Sequence, residues 1–418
     1  ASLAGEETIF GGFAAEKLTR LQSELEPLSR RYDVVVANPP YMGSKNMNKW
    51  LGDWVKTHYK DVKGDLFSCF MVRNVGMGAE HAQLGFMTPY VWMFIGTYEK
   101  LRKFVIRQNT ITSLIQLEYS GFSGATVPIC TFTLQKGYCP GYRGGYVRLS
   151  DFVGAHQQAP RALEALAKPD SGWFYKQSCS SFEAIPGSPI AYWIRLSTLS
   201  AFKKYKPMKN YARTSKGLIT GDNDEFFRLW WEISHIKIGF EIASNEQSIE
   251  SGLEWFPLNK GGKFRKWYGN NEFVIHWADN GQAVHKHAKE TGHHSQDYDS
   301  ELKFKDNISW SDISSGLANF RYRHNELSDH KGMPLLPTTI PLKYCLGFLN
   351  SSTCAHFLSF LSPTLSCNIG EIEKLPVHMA NEAIEQHIEE IVSSQITDAN
   401  EDWNSFEESW NFAKHPLI

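Results

Sequence analysis

Asn38, Pro39, Pro40 and Tyr41 have the clearest chemical use in this chain, because they set hydrogen-bond acceptors and a flat ring on a rigid corner. Each proline fixes φ and removes a backbone donor, so the corner offers acceptors, the Asn38 side-chain oxygen and the Pro39 carbonyl. Two neighbouring acceptors suit an amine conjugated to a ring or a carbonyl, whose delocalised lone pair makes it a poor nucleophile. Taking its two N–H bonds pulls the nitrogen toward tetrahedral and aims the lone pair at a sulfonium methyl. Tyr41 supplies a face for stacking a planar ring. If each letter has roughly the 5% frequency of proline, chance places such a tetrapeptide in about a few per thousand chains of this length, so coincidence explains it poorly. The plainer alternative is a strand followed by an ordinary Pro-Pro turn.

The corner needs a platform, and the residues before it read as one. Val34, Val35 and Val36 between polar ends suit a strand covered on both faces of a parallel sheet, whose carboxyl end is where open α/β sheets bind ligands. Leu18, Leu21, Leu25 and Leu28 are spaced for one helical face leading into that strand. Residues 42–61, with Trp50 and Trp54 four apart, read as a short helical lid, and Asp65 is placed to cap the helix that follows. Strands are expected at 84–89, 111–117 and 129–134, with a helix at 98–107 and a turn over 121–128. The order strand, helix, strand, helix, strand, strand is that of an α/β fold, the second half of a Rossmann-like doubly wound sheet closing with a hairpin.

The Gly- and Tyr-rich piece 137–146 marks a boundary, giving a first domain over residues 1–145. Beyond it aromatics rise and short strands alternate with loops, so 146–343 reads as a mixed α+β domain. Residues 278–300 are polar and read as a surface insertion. Residues 344–418 form a helical closing segment, with Pro363 as a break and Asn381 placed to cap a helix over 382–394.

Composition narrows the class of protein. The chain has 418 residues, a formal net charge of −2 and 42% hydrophobic residues, the profile of a globular protein of two or three domains. No apolar run approaches the roughly 20 residues of a membrane span, and the N-terminus lacks a secretory pattern. The seven cysteines form no CxxC pair, which implies a reducing cytoplasm and no zinc ribbon.

A near-neutral sum does not exclude nucleic-acid binding, because phosphate affinity depends on local clusters. One such cluster is Lys260, Gly261, Gly262, Lys263, Arg265 and Lys266, where four cations meet no acid and glycines allow a backbone to approach phosphate. Arg321-Tyr322-Arg323-His324 is a second. Either could also be a solvated basic face. His285, His287, His293 and His294 lie in a polar stretch without cysteine support, so no metal is expected there. Neither a hydrolytic triad nor an acidic nuclease pattern can be read.

These residues carry a family likeness. Asn-Pro-Pro-Tyr is the motif of amino-group methyltransferases that use S-adenosylmethionine. The stretches 32–47, 64–72 and 88–101, together with Thr220-Gly221-Asp222-Asn223-Asp224, 258–268 and 313–316, resemble the adenine-specific DNA methyltransferases of BREX phage-defence systems, the PglX family. That resemblance implies γ-type N6-adenine methylation of double-stranded DNA, related to combined restriction and modification enzymes. It further implies S-adenosyl-L-methionine as cofactor and base flipping to expose the amine.

By the same resemblance Asn38, Pro39, Pro40 and Tyr41 bind the flipped adenine, Phe122 is a second stacking face, and Asn38, Asp65 and Phe70 contact the cofactor. The middle region is then the target-recognition domain, with Thr220 and both basic clusters on DNA. Implied partners are other BREX defence proteins and a phage DNA-mimic inhibitor, with no membrane. The family's glycine-rich cofactor loop and acidic ribose-binding residue would lie upstream of Asn38, where only the pair Gly11-Gly12 is found. A fragment, or a chain with a partner carrying the missing half, is therefore expected, binding the cofactor poorly alone. The competing functions are a protein-glutamine or RNA amino-methyltransferase and a non-enzymatic DNA-recognition module of a defence complex.

Overall fold

A computed structural model of the chain describes residues 9–122, 127–297, 300–312, 318–362, 366–415 and 417. Residues 123–126 of the expected turn, the 313–316 motif and Pro363 lie outside the described residues. The chain divides into two units, Ala1–Leu199 and Ser200–Ile418.

The first unit is built on a six-stranded sheet of order β1-β2-β4-β3-β5-β6. Its strands are β1 (Tyr32–Ala37), β2 (Gly78–Pro89), β3 (Asn109–Gln116), β4 (Ile129–Lys136), β5 (Arg143–Arg148) and β6 (Phe174–Ser178). β1 runs parallel to β2 and β3 to β5, while β4 lies antiparallel between β2 and β3. Hence β1, β2, β3 and β5 point the same way, and the segments after each emerge at one edge of the sheet. Helices α1 (Ile9–Ser29), α2 (Lys49–His58), α3 (Leu66–Met77), α4 (Glu99–Gln108) and α5 (Ala155–Ala167) connect or flank these strands. The central strands are apolar and sealed: Leu84, Phe86, Ile111, Leu114, Phe132 and Leu134 are all buried. The α/β class and the β3–β4 hairpin are as the strand and helix spacing predicts, but the hairpin does not close the sheet, which β5 and β6 continue.

The helix expected to lead into β1 is present as α1, with Leu18, Leu21, Leu25 and Leu28 exposed on it. Two further expectations are corrected. The valines of β1 are not covered on both faces: Val34 and Val36, which point to the same face, are 63% and 78% exposed, so that face is open among the described residues. The expected boundary at 145/146 falls inside β5, which extends the sheet beside β3. The glycines there serve packing instead: a Cβ on Gly144 would lie 2.4 Å from the Ile111 carbonyl oxygen of the neighbouring strand.

The second unit holds two four-stranded sheets. One has the order Phe227–Leu229, Phe273–His276, Trp255–Asn259 and Leu327–Ser328, around a core of Phe227, Phe256, Leu258, Ile275, Trp277 and Leu327. The other, wholly antiparallel, has the order Phe320–Arg323, Asn307–Ser311, Gly332–Pro337 and Ala212–Thr214. Residues 278–291 run as a helix after a left-handed start at Asp279, Asn280 and Gly281, with Val284 buried in the core, so much of the expected surface insertion is a helix packed on the core. The closing helices run Leu342–Asn350, Ser352–Leu361 and Glu382–Asn404, the last capped by Asn381, whose Oδ1 accepts from the Ile384 N–H at 3.0 Å.

Candidate active site and basic loop

The Asn-Pro-Pro-Tyr corner leaves β1 at the carboxyl edge of the sheet. Pro39 is buried and anchors it, while Asn38, Pro40 and Tyr41 are exposed. Tyr41 braces the asparagine: its hydroxyl lies 3.2 Å from Asn38 Oδ1 and 3.3 Å from the carbonyl oxygen of Met87 in β2. Burial pushes the Tyr41 phenol above its ordinary pKa, with the Cys130 thiol adding to the effect, so at neutral pH it is a donor. A carboxamide oxygen has two acceptor directions, so Asn38 keeps one free beside the tyrosine.

Asp65 holds the other end of the corner. Its Oδ1 accepts from the Met42 N–H at 2.8 Å and from the Phe67 N–H at 3.3 Å, capping α3 and fastening the chain just past Tyr41 to it. The Ser44 and Leu66 amides close the junction onto the Gly64 and Met42 carbonyls at 3.0 and 3.1 Å. Phe67 packs edge-on to Tyr41 at 6.4 Å between ring centroids. Asp65 is thus a positioning residue for the corner. Phe70, on the same helix, is 40% exposed and presents an aromatic face to solvent. The Lys49–His58 helix has the expected place in sequence, with Trp50 exposed and Trp54 stacked on His58 at 4.6 Å.

Phe122 follows β3 at the same edge and is 48% exposed. The turn before it is set by α5: buried Gln158 accepts from the Glu118 N–H at 3.1 Å and donates to the Phe152 carbonyl at 2.5 Å. Tyr90, which sequence reasoning passed over, follows β2 at this edge and donates its N–H to the Pro128 carbonyl at 2.8 Å. Its phenol is raised by burial and then by its neighbour Tyr119. A signal existed, since Pro89-Tyr90 ends β2 as Pro40-Tyr41 ends the segment after β1.

In the second unit the basic stretch is mostly engaged. Lys260 lies over the rings of Phe273 and Phe227 at 4.4 and 5.2 Å. Arg265 pairs with Asp402 at 2.7 Å and sits 4.9 Å over the Trp403 ring, and Lys266 donates to the Asn350 carbonyl at 3.0 Å. The stretch meets no acid in sequence but meets Asp402 in space. Lys263 remains exposed, with no hydrogen bond or ion pair to its ammonium among the described residues, next to Phe264, which is 59% exposed. Gly261 and Gly262 have φ of 83° and 117°. A Cβ on either would meet the Lys331 carbonyl oxygen at 2.6 Å or Asn270 Nδ2 at 2.8 Å, so their first role is tight packing of the loop.

Arg321 and Arg323 are corrected outright. They are 0% and 1% exposed and offer no surface to phosphate. Alternation along the strand turns both inward, while Tyr322 and His324 turn out toward Asp306. Arg321 donates to Asn319 Oδ1 at 2.5 Å, Ser311 Oγ at 3.0 Å and the Arg265 carbonyl at 3.3 Å. Arg323 donates to Asn259 Oδ1 at 2.8 Å and to Asn271, and faces Glu326 at 3.5 Å. Desolvation, with its neighbour Arg323, lowers the Arg321 pKa to about 9, and burial raises Glu326 against the pull of both arginines. The pair is a brace beneath the basic loop. Thr220 is also buried, its hydroxyl 2.8 Å from Asn223 Oδ1, so it too faces inward.

With this geometry in hand, residues 13–122 match a family model described as the Eco57I restriction-modification methylase. Over 94% of its length the chain is 37% identical to the adenine-specific methyltransferase PglX of Lacticaseibacillus casei (strain Zhang). Over 100% of its length it is 30% identical to the adenine-specific methyltransferase BrxX of Escherichia coli O9:H4 (strain HS). The chain is thus similar to part of each of these two methyltransferases. It spans 33% of the length of each.

Among solved structures, the type IIL restriction-modification enzyme MmeI in complex with DNA has the same fold, with a TM-score of 0.60 at 11% identity, covering 94% of this chain and 52% of that one. The type ISP enzyme LlaGI, solved as a nuclease-deletion mutant with a DNA substrate mimic, gives 0.54 at 13% identity over 94% of this chain and 37% of its own. No helix among the described residues is long and apolar enough to cross a membrane.

Proposed function

We propose that this chain carries the amine-binding half of an adenine N6-methyltransferase site on its first unit and a target-recognition region on its second. The observation that carries the reading is Asn38. Its carboxamide stands exposed at the carboxyl edge of a mixed α/β sheet, on a proline corner braced by Tyr41 and fastened by Asp65. Asn38 Oδ1 and the Pro39 carbonyl accept the two N–H bonds of a flipped adenine, so the lone pair points away from the ring. Tyr41 stacks on the base, and Phe122 takes its other face. Such acceptors are most effective where charge develops on the nitrogen during transfer.

S-adenosylmethionine, when bound, supplies an electrophilic methyl on a sulfonium. Part of a site that fits it is present, in that Phe70 offers an exposed ring, while Asp65 acts through the backbone it holds, its Oδ1 already shared by two amides. The partner is double-stranded DNA, with Lys263 at the tip of the basic loop as the phosphate contact. The protein works in the cytoplasm beside other proteins of a phage-defence system, and a phage inhibitor that mimics DNA competes for the Lys263 face.

Labelled methyl transfer to duplex DNA, assayed with this chain carried in a protein of its relatives' full length, tests the reading. Label on adenine that disappears with Asn38→Ala supports it. Label on a protein glutamine or on RNA, or DNA binding with no transfer at all, overturns it in favour of the competing functions.

A further inference from the structure

Two of the four histidines that the sequence leaves in a polar stretch are brought to one carboxylate. His287 lies on the Ala278–Thr291 helix and His293 just past its left-handed end at Gly292, while Asp222 caps the short Asn223–Phe226 helix. One ligand atom from each of the three falls within 4.8 Å of the others. His287 Nε2 and Asp222 Oδ2 are 3.5 Å apart.

The exposed pairs His81–Glu80 and His387–Glu390 are also loose, at 3.8 and 3.9 Å, so what sets His287 apart is that its ring nitrogen is buried. His324 reaches Asp306 at 2.5 Å and His330 reaches Asp329 at 2.8 Å, both at hydrogen-bond length. His287 Nε2 stops short of its carboxylate, yet it is sealed from solvent and has no hydrogen-bond partner. A buried ring nitrogen without a partner is costly. Two donors bound at about 2.1 Å to one tetrahedral zinc lie about 3.4 Å apart, close to the observed gap. Asp222 is free to serve, because its cap uses the other oxygen, Oδ1, which accepts from the Glu225 N–H at 3.1 Å.

The backbone holds this approach in place. Gly221 has φ of 84°, and a Cβ there would come within 3.0 Å of His293 Cβ and of the His294 carbonyl oxygen. Gln296 and Asp297 then pair antiparallel with Ile219 and Leu218. The two segments are thus fastened just before Asp222 and just after His293, which holds these two ligands side by side.

We propose that Asp222, His287 and His293 form a binding site for a divalent transition-metal ion of the zinc class, with water completing the coordination. Bound there, the ion clips the end of the Ala278–Thr291 helix to the Thr220–Asp224 turn. The site is independent of the methyltransferase reading and stands or falls separately from it.

The test is titration of the chelator-stripped chain with zinc chloride, by calorimetry and by competition with a chromophoric zinc indicator. One equivalent should bind and raise the melting temperature. His293→Gln, at an exposed position, and Asp222→Asn, which keeps an oxygen for the cap, should each weaken binding by at least the about 10- to 100-fold that loss of an outer-shell partner costs, and abolish the shift. His285→Gln should leave both unchanged. No binding by the unaltered chain, equal binding by His293→Gln, or equal loss in His285→Gln would overturn the assignment.

Discussion

The Asn38 corner and the Arg321–Arg323 strand are both dense in polar side chains, yet they use them in opposite ways. At the corner other residues do the holding: two prolines, the Tyr41 hydroxyl and the Asp65 carboxylate leave the Asn38 amide exposed. In the strand the arginines themselves do the holding, and both guanidinium groups are spent inside the protein on Asn259, Asn271, Asn319 and Ser311. Polar groups available to a ligand are those whose backbone is fixed by something else. A cation that is itself the fixing element is unavailable, whatever its charge suggests.

The sharpest way to break this contrast is Arg323→Ala. It leaves Glu326, 3% exposed at its side chain, without its cationic partner, and removing one member of a buried pair costs about 3–5 kcal/mol. Chemical denaturation measures the loss, and a drop below about 1 kcal/mol would mean that the strand is no such brace. The pH dependence has a definite sign. Burial already holds the Glu326 pKa above its ordinary 4.5, so the folded state binds more protons there than the unfolded one. Stability from this group is present below that value and is lost as pH rises. The deficit of Arg323→Ala should therefore widen from acidic to neutral pH.

Asn38→Ala should act the other way, on chemistry and not on stability. In a catalytically complete protein the expected loss of kcat is about 10²–10³-fold, as for removal of one preorganised polar contact to a developing charge, with an unchanged melting temperature. A comparable fall in melting temperature would show the asparagine to be structural. Asp65→Ala lies between these cases: loss of an N-cap costs about 0.5–2 kcal/mol, and methyl transfer should fall further than that stability change explains. Equal transfer rates at saturating substrates would detach Asp65 from the corner.

What was legible in the sequence follows the same division. The corner could be read because its causes are local: prolines fix φ wherever they stand, and an aspartate before an apolar run caps a helix. The order of strands and helices through Lys136 was legible for that reason too. Arg321 and Arg323 were misread as surface because charge alone was weighed. Their spacing of two within a strand already placed them on the face opposite Tyr322 and His324, but which face is buried depends on a second sheet far away in sequence. Val34 and Val36 erred in the other direction, since an apolar pattern says that a side chain prefers cover and not what covers it. The boundary was misplaced because glycines next to a strand read as a break, whereas Gly144 lets β5 lie close against β3.

Lys263→Ala is the smallest effect and the one that tests the contrast at its margin. Of the four cations in the basic loop, Lys260, Arg265 and Lys266 have partners within the unit, and Lys263 stands exposed. Removing it should leave the melting temperature unchanged, weaken duplex binding by a similar factor for every sequence, and reduce the slope of log K against log salt by about 1. Arg265→Ala should instead loosen the loop from Asp402 and Trp403, so that any loss of affinity comes with a loss of stability. An unchanged salt slope in Lys263→Ala, with a reduced slope and intact stability in Arg265→Ala, would reverse the assignment and show that a cation paired inside the protein still reaches DNA.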